Sequence, residues 1–401
     1  MTAIVLGVDT PIGLTIVREL GRHGVEVCAV GKEPTSIGAA SRHAKRFIVR
    51  PAGSMDAWLP KLIAEVGARA LFAISEHDLL ALAALPPTIG RCAILTPRAA
   101  QLAAVLDKTK TLEVAAGLGI DTPQSWQPGP TDHDDTARID ALAYPVVLKW
   151  SDPNVVSRLL ATHGIELQKA EFADSPDALR RALARYDAIG RWPIVQTYCA
   201  GHGLGQMIHM HAGRAVLRFQ HRRLHEWPPE GGVSTSCIAV PLDEHAEQME
   251  RSVALLQALA WDGPAMVEYR YDAQARRYWL MEINGRFWGS LPLASRCGAE
   301  FAWEGYRRHV LHDESAAPAP RASLRARYMI PETRRLVRVL FQRRAIKDPM
   351  FRERGWQALV AYVVDFLRPS MRYYVFRIDD PGPFLRDLSN VIRQRVLKRS
   401  S

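Results

Sequence analysis

The first hundred residues alternate between short apolar segments and segments with apolar residues at helical spacing. Residues 1–10 and 25–31 are apolar runs of strand length, and residues 11–24 between them carry an apolar stripe. Such runs are typical of buried strands, and such stripes are typical of amphipathic helices. With a further apolar run at 70–78, the pattern predicts a β-α-β start and an αβ domain over residues 1–100.

The rest of the chain divides at a segment rich in proline and alanine, SAAPAPRAS at 315–323. Before it, residues 101–314 contain β-branched segments broken by glycine-rich turns, and an amphipathic helix at 242–261. This mixture predicts an α+β domain. After it, residues 315–401 form the linker and what we expect to be a basic, helical C-terminal region.

The β-α-β start resembles half of a dinucleotide-binding fold, but its glycine pattern differs. Gly7 and Gly13 are present, whereas Asp9 occupies the position of the middle glycine. A carboxylate there would repel a pyrophosphate, and Lys32 rather than an acidic residue follows the second strand. The sequence therefore argues against a dinucleotide-binding oxidoreductase and favours a structural role for this domain.

Residues 266–290 carry the most informative polar pattern. They are predicted to form two strands around a polar turn at 272–274. The polar side chains are Glu268 on the first strand and Glu282, Asn284 and Arg286 on and after the second. Alternate residues of a strand share a face, so the last three would project together, and strand pairing would bring Glu268 to them.

Two carboxylates and an amide oxygen suit Mg²⁺, which prefers one or two carboxylates plus phosphate oxygens. The alternative is a solvent-facing hairpin with incidental charges. The flanking residues are apolar, however, and buried carboxylates need a partner or a metal. The pattern therefore favours a site for Mg²⁺, with Mn²⁺ as an alternative, beside nucleotide phosphates.

The run EINGRFWGS at 282–290 resembles the E-x-N-x-R-x-x-x-S signature of the ATP-grasp superfamily, especially its carbamoyl-phosphate-synthase and amino-acid-ligase branches. The resemblance implies a Rossmann-like domain at 1–100 and a two-subdomain ATP-grasp fold at 101–314, with a nucleotide clamp and a metal-binding sheet. Lys108 and Lys149 are similar to the two lysines that contact the α and β phosphates. Their alternative role is that of surface lysines with a buried stem.

Two further segments extend the resemblance. VQTYCAG at 195–201 resembles the linker that holds adenine, which implies nucleotide contacts by Gln196, Thr197, Tyr198 and Cys199, with the backbone of Thr197 and Cys199 at the adenine edge. HRRLHEWPPEGGVSTSC at 221–237 resembles a substrate loop of carbamoyl-phosphate-synthase-like enzymes, with Glu226, Gly231, Gly232 and Ser234 in the matching places. The acidic residue that often follows the linker to bind ribose and the glycine-rich loop after the first lysine strand have no counterpart here.

Three arginines complete the candidate site. Arg222 and Arg223 suit a substrate carboxylate or phosphate because guanidinium binds these groups in a bidentate way. Since they are adjacent on a strand, only one can face the pocket, and a solvated strand face is the alternative for either. Arg286, beside the metal residues, could stabilise the charge of a transferring phosphoryl group.

The resemblance implies an ATP-dependent carboxylate–amine ligase that forms a C–N bond through an acyl phosphate and releases ADP. Its substrates would be a small carboxylic acid and an amine, such as amino acids or a saccharide-linked group, and a homodimer is compatible with the family. Two alternatives stay open: a small-molecule kinase of the same fold, and a catalytically silent nucleotide-binding scaffold. The sequence does not identify the acid, the amine or the pathway.

Charge and composition add a location and a partner. The five cysteines are scattered without zinc spacing, which predicts reduced thiols and a cytoplasmic protein. Residues 321–401 hold 19 basic and 7 acidic residues, whereas residues 1–320 are near neutral. The apolar run at 356–367 with flanking arginines predicts either peripheral contact with an anionic membrane, at the inner membrane surface, or a core helix packed on the body. No nucleic-acid-binding motif is present, so nucleic acid is not expected.

Overall fold

Three β-sheets organise the part of the chain that the computed structural model describes, which is residues 1–151, 153–168, 170–229, 232–346 and 352–397. They have six, four and seven strands and follow one another along the chain. Each sheet has its own pattern of strand pairing.

The six-stranded sheet lies in the part of the chain where the sequence predicts an αβ domain. Its strand order is β3-β2-β1-β4-β6-β5, and all neighbours are parallel except β5 and β6. The elements up to the next sheet are β1 (Thr2–Leu6), α1 (Pro11–Arg22), β2 (Glu26–Gly31), β3 (Ala44–Val49), α2 (Met55–Val66), β4 (Ala68–Phe72), α3 (Glu76–Ala83), β5 (Thr88–Ile89), β6 (Cys92–Ile94), α4 (Ala99–Leu106) and α5 (Lys108–Gly117).

Asp9, at the position of a dinucleotide-binding glycine, has a structural role. Its two carboxylate oxygens accept the backbone N–H of Lys32 at 3.0 and 3.1 Å, and it also accepts a hydrogen bond from the Ser36 hydroxyl. The carboxylate therefore fixes the segment that follows β2. Its oxygens are used within the domain, in keeping with the structural role predicted from the sequence.

The four-stranded sheet is antiparallel, with the order β7-β10-β8-β9. Its own core includes Trp126, Leu148, Trp150 and Val195. The elements are β7 (Ser125–Trp126), α6 (Thr136–Asp140), β8 (Val146–Lys149), α7 (Pro153–Thr162), β9 (Glu171–Ala173), α8 (Pro176–Ala184) and β10 (Ile194–Thr197). Helix α7 follows β8 in the segment where the resemblance implies a glycine-rich loop and the sequence has none.

The seven-stranded sheet has the order β15-β14-β11-β12-β13-β16-β17 and is antiparallel except between β16 and β17. Helix α9 packs on one face and α10 and α11 pack on the other, and residues of the first domain share a hydrophobic core with each face. The elements are β11 (His202–His211), β12 (Arg214–Trp227), β13 (Val233–Ala239), α9 (Ala246–Ala258), β14 (Gly263–Asp272), β15 (Arg277–Asn284), α10 (Leu291–Arg296), α11 (Phe301–Val310), β16 (Arg325–Arg327), α12 (Met329–Phe341), α13 (Gly355–Val364), β17 (Met371–Tyr373) and α14 (Gly382–Leu397).

The C-terminal region is therefore not helical throughout, because two of its strands extend the large sheet. Beside them, α12 is tied to β12 and β13 through Glu332, whose carboxylate lies 2.8 Å from His225 Nδ1 and accepts the Thr235 hydroxyl at 2.5 Å. Burial would raise the pKa of Glu332, but His225 and Arg335 outweigh it and hold the pKa at about 2. The predicted boundary at 314 falls between α11 and β16, within a sheet that is continuous across it.

Candidate active site

The predicted hairpin of 266–284 is present, and it brings two carboxylates face to face. Strands β14 and β15 pair antiparallel, with Glu268 directly opposite Glu282. Both side chains are half-buried, 16% and 31% exposed. Like charges directly opposite each other on neighbouring strands are destabilising without a cation. The pair therefore places two neighbouring carboxylates, with their negative charge, on one face of the seven-stranded sheet.

Asn284 lies next to these carboxylates, two residues after Glu282 on β15. Its amide nitrogen donates to Glu282 Oε1 at 3.2 Å, which fixes the amide beside the carboxylate as the alternation predicted. Arg286 lies beyond the end of the strand, where Nη1 donates to the carbonyl oxygen of Phe287 at 3.2 Å. Among the described residues no carboxylate lies within ion-pair distance of Arg286, so this guanidinium can still take an anion.

Both predicted lysines approach the carboxylate pair. Lys108 is the first residue of α5, and its Nζ lies 3.6 Å from Glu282 Oε2. Lys149 is the last residue of β8 and is half-buried. Burial is the main cause that lowers the pKa of Lys149 to about 8; Lys108 and Arg270 lower it further, whereas Glu282 and Glu268 oppose the shift.

An ammonium with such a lowered pKa lacks sufficient negative charge around it. Lys149 ends a strand of the four-stranded sheet and faces the carboxylates of the seven-stranded sheet. An anion placed between the two sheets would raise the pKa of Lys149 towards its ordinary value. The two lysines and two glutamates thus form a cluster of ammonium groups and carboxylates.

Of the two adjacent arginines, only Arg223 reaches this face. Its guanidinium lies 2.9 Å from Glu226 and 2.9 Å from Glu268, whereas Arg222 is exposed on the opposite face of β12. Burial would lower the pKa of Arg223, but Glu268 and Glu226 outweigh it and raise the pKa well above its usual value. The structure therefore does not bring Arg222 to the site, as strand alternation requires for one of the pair.

The side chain of Arg223 extends from β12 over the intervening strand β11 to β14. It can do so because the β11 residue next to it is Gly203, which has no side chain. A Cβ at Gly203 would lie 3.2 Å from the Cβ and 3.4 Å from the Cδ of Arg223. The missing side chain leaves a channel along which the guanidinium reaches Glu268. Arg223 therefore holds a metal-candidate carboxylate in place and is not free to bind substrate.

Arg270 belongs to the same face, and the sequence analysis did not single it out. It lies two residues after Glu268 on β14, and its Nη1 donates to the carbonyl oxygen of Gly201 at 2.8 Å. Its charge lowers the pKa of Lys149, which places the two cations near each other. The same alternation that selected Asn284 beside Glu282 points to Arg270.

The predicted adenine linker lies where β10 leaves the four-stranded sheet. The side chain of Gln196 donates to the Ser125 hydroxyl at 2.9 Å, and the Thr197 N–H donates to the Gln124 carbonyl at 3.0 Å. The Tyr198 N–H donates to the Pro145 carbonyl at 3.3 Å. The N–H at Thr197 is thus used within the sheet, so the expectation that it reads adenine needs correction.

Of the two linker residues expected to contact adenine through the backbone, Cys199 is the one whose peptide groups are still available. Within the described part of the chain its peptide N–H and carbonyl make no hydrogen bond. Its side chain is buried and approaches the Thr197 carbonyl at 3.7 Å, and burial raises the pKa of the thiol to about 11. The thiol is therefore a packing group, and the peptide group is what the linker can offer a base.

The described residues of the predicted substrate loop at 221–237 lie on β12, on β13 and beside the ends of these two strands. Glu226 is buried on Arg223, and Ser234, opposite it in register, is also buried. A Cβ at Gly232 would lie 1.9 Å from the carbonyl oxygen of Trp227, so no other residue fits this position as it stands. Gly231 lies outside the described residues.

Comparison with known proteins bears on the fold. No protein-family model matches the chain, and no curated protein matches it in sequence. Several solved structures share its fold. The biotin carboxylase domain of the Hydrogenobacter thermophilus 2-oxoglutarate carboxylase, solved with MgADP, ADP and bicarbonate, is 15% identical, with a TM-score of 0.60 and coverage of 80% of this chain and 73% of that chain.

Two further structures give the same result. The N5-carboxyaminoimidazole ribonucleotide synthetase of Thermus thermophilus is 18% identical, with a TM-score of 0.58 over 81% of this chain and 82% of that one. The L-amino acid ligase of Bacillus licheniformis is 15% identical, with a TM-score of 0.55 over 77% of this chain and 74% of that one. The chain therefore has the ATP-grasp fold, which confirms the fold predicted from its sequence.

Proposed function

We propose that this protein is an ATP-dependent ligase that joins a small carboxylic acid to an amine through an acyl phosphate and releases ADP. The observation that carries the proposal is the Glu268–Glu282 pair, with Asn284 beside it and the ammonium groups of Lys108 and Lys149 near it. Carboxylates for a metal ion and ammonium groups for phosphates, placed next to each other, match the charges of a metal–nucleotide complex.

The residues present fit Mg²⁺, or Mn²⁺ in its place. Glu268 and Glu282 supply two carboxylates, and the oxygen of Asn284 accepts no hydrogen bond from a described residue, so three oxygen ligands share one face. Phosphate oxygens and water would complete the shell. When bound, the metal would neutralise phosphate charge and help the γ-phosphoryl group to transfer.

The surrounding cations have separate tasks in this proposal. Lys149 and Lys108 would hold the α and β phosphates, and the peptide group of Cys199 would contact the adenine. Arg286, without a carboxylate partner among the described residues, would bind the acid or the transferring phosphoryl group. Arg223 would act through Glu268, as a positioning residue.

In the proposed reaction, every bond that forms or breaks belongs to ATP, the acid or the amine. A carboxylate oxygen of the acid attacks the γ-phosphorus, and the bond between this phosphorus and the β–γ bridging oxygen breaks, so ADP leaves. The amine nitrogen then attacks the carbonyl carbon of the acyl phosphate. A C–N bond forms, the C–O bond to phosphate breaks, and the amine proton is lost to solvent or base. Amino acids and saccharide-linked acids or amines are the substrate classes we propose.

Hydroxylamine trapping tests the proposal. The full-length protein is incubated with Mg-ATP, hydroxylamine and pools of amino acids or other small carboxylic acids, and hydroxamate and phosphate are measured. We expect hydroxamate that requires both ATP and one pool, because hydroxylamine intercepts acyl phosphates. Phosphorylated product without hydroxamate would assign the protein to the kinases, and nucleotide binding without turnover in any pool would assign it to the scaffolds.

A further inference from the structure

Helix α13 directs its apolar stripe away from the protein. The stripe has the i, i+3, i+4, i+7 spacing of an amphipathic helix, and each member is between 40% and 80% exposed. Its members are Trp356, Leu359, Val360, Val363 and Val364, and Leu367 in the 3₁₀ turn Asp365–Leu367 that follows. An ordinary surface helix buries this stripe, so the arrangement needs an explanation.

The opposite side of α13 is the side that packs on the protein. Ala358 is buried in a small core with Leu336, Val339 and Ile346. One turn further, the Tyr362 hydroxyl lies 2.7 Å from the Thr333 hydroxyl, and the Tyr362 carbonyl accepts a hydrogen bond from Arg327 at 3.0 Å. These contacts fix the rotation of the helix, so its apolar stripe cannot turn inward without breaking them.

Cations border the stripe at both ends. Arg354 is the residue before the first turn of α13, Arg344 lies in the turn after α12, and both are exposed. Neither makes an ion pair or side-chain hydrogen bond with a described residue. Arg368 follows the C-terminal end, is 41% exposed and forms an ion pair with Asp365 at 2.8 Å. An apolar stripe with basic residues at its ends matches the interface of an anionic bilayer, where acyl chains meet phosphate.

Helix α13 has 10 residues, and among the described residues no helix is both long and apolar enough to cross a bilayer. A helix of this kind lies in the membrane surface and does not span it. We propose that the exposed stripe of α13 and its flanking arginines dock the protein on an anionic membrane surface. This inference is independent of the proposed ligase activity, because none of these residues belongs to the candidate active site.

Flotation of the full-length protein with vesicles tests the inference. Vesicles of mixed phosphatidylglycerol and phosphatidylcholine are compared with phosphatidylcholine alone, at low and at moderate salt. We expect binding to the anionic vesicles that weakens as salt rises, since surface charges are screened. Absence of flotation with anionic vesicles at low salt would overturn the proposal.

Two variants separate docking from a general effect of charge. Val363→Asp places a carboxylate in the stripe and should lower partitioning about tenfold or more. Leu80→Asp is its matched control, since Leu80 is 49% exposed on α3 and Val363 is 53% exposed on α13; it should bind like the wild type. Arg344→Glu with Arg354→Glu should abolish the preference for anionic over neutral vesicles.

A second copy of the chain is the competing occupant of this surface. Sedimentation velocity without lipid measures the oligomeric state of the wild type and of Val363→Asp. A wild-type oligomer that Val363→Asp dissociates, without vesicle binding by the wild type, would overturn the membrane assignment. Equal flotation of Val363→Asp and the wild type would overturn it as well, provided that thermal unfolding shows both to be folded.

Discussion

Glu268 and Glu282 lie directly opposite each other on neighbouring antiparallel strands. Two carboxylates in this arrangement repel each other unless a cation joins them, at a cost of up to about 1 kcal/mol. The protein keeps them in place with Arg223 on one side and Lys108 on the other. The site is therefore arranged for a cation at some expense of stability, which is typical of a functional cluster.

Glu282→Gln tests whether repulsion between Glu268 and Glu282 lowers the stability of the protein without metal. Without metal, its free energy of unfolding should equal that of the wild type or exceed it by up to about 1 kcal/mol, because the repulsion is removed. Mg-ATP should then stabilise the variant less than the wild type, since stabilisation by a ligand follows its affinity. Denaturant titrations with and without Mg-ATP measure both effects. A variant that is markedly less stable without ligand would show that Glu282 is a structural residue.

The adjacent arginines of β12 offer a matched pair of variants. Arg223→Met leaves Glu268 and Glu226 without their cation, which disturbs the carboxylate that we assign to the metal. We expect the apparent affinity for Mg²⁺ in the presence of ATP to fall about 10- to 100-fold, as for other residues that orient a metal ligand. Arg222→Met, on the exposed opposite face, should change it little. Equal effects of the two substitutions would contradict the positioning role.

Lys149 should make nucleotide binding depend on pH. Because the pKa of the free protein's Lys149 is lowered to about 8, its charge is present below pH 8 and is lost as pH rises through that value. Binding of a phosphate requires the charged form, so the affinity for Mg-ATP should fall above pH 8. Lys149→Arg keeps its charge over this range and should remove that part of the dependence. Titrations of ATP binding from pH 7 to 9.5 test this; an unchanged profile in the variant would exclude Lys149.

Much of the site could be predicted because its signals are local in sequence. The hairpin follows from the turn at Asp272, whose carboxylate accepts the N–H groups of Gln274 and Ala275 at 2.9 and 3.2 Å. Strand alternation then places Glu282 and Asn284 on one face. By the same rule Arg270 shares a face with Glu268, so this residue could have been found from the sequence.

The features of the site and fold that could not be predicted from the sequence depend on contacts between segments far apart in the chain. The ion pairs of Arg223 require both the register of β11 with its neighbours and the absence of a side chain at Gly203. The use of the Thr197 N–H by Gln124 depends on how two segments of the four-stranded sheet meet. Strands β16 and β17 have three residues each, too few for a period to be recognised, and pairing rather than propensity determines them.

The C-terminal region is fixed to the first domain through Asp380. Its carboxylate accepts Arg18 Nε at 2.9 Å, the Ser41 hydroxyl at 2.7 Å and the Arg42 N–H at 2.9 Å, and the side chains of Arg18 and Asp380 are 4% and 1% exposed.

Asp380→Ala leaves the buried Arg18 guanidinium without its charge partner. Removal of one partner of a buried ion pair costs about 3–5 kcal/mol, and denaturant unfolding should show a loss of that size. Asp379→Ala is the control, because Asp379 is 45% exposed on its partner Arg377; it should cost less than about 1 kcal/mol. Similar losses for both variants would contradict the anchoring role of Asp380.

Phosphate release from Mg-ATP that depends on a carboxylic acid, measured for the wild type and for Glu282→Gln, tests the central claim most directly. We expect turnover by the wild type with one acid pool and a loss of about a thousandfold or more in Glu282→Gln, because the metal that supports phosphoryl transfer loses a charged ligand. The matched control is Glu113→Gln, an exposed position on α5 outside the site, and it should turn over like the wild type. Undiminished turnover by Glu282→Gln would contradict the assignment of the carboxylate pair as the metal site, and with it the proposed active site.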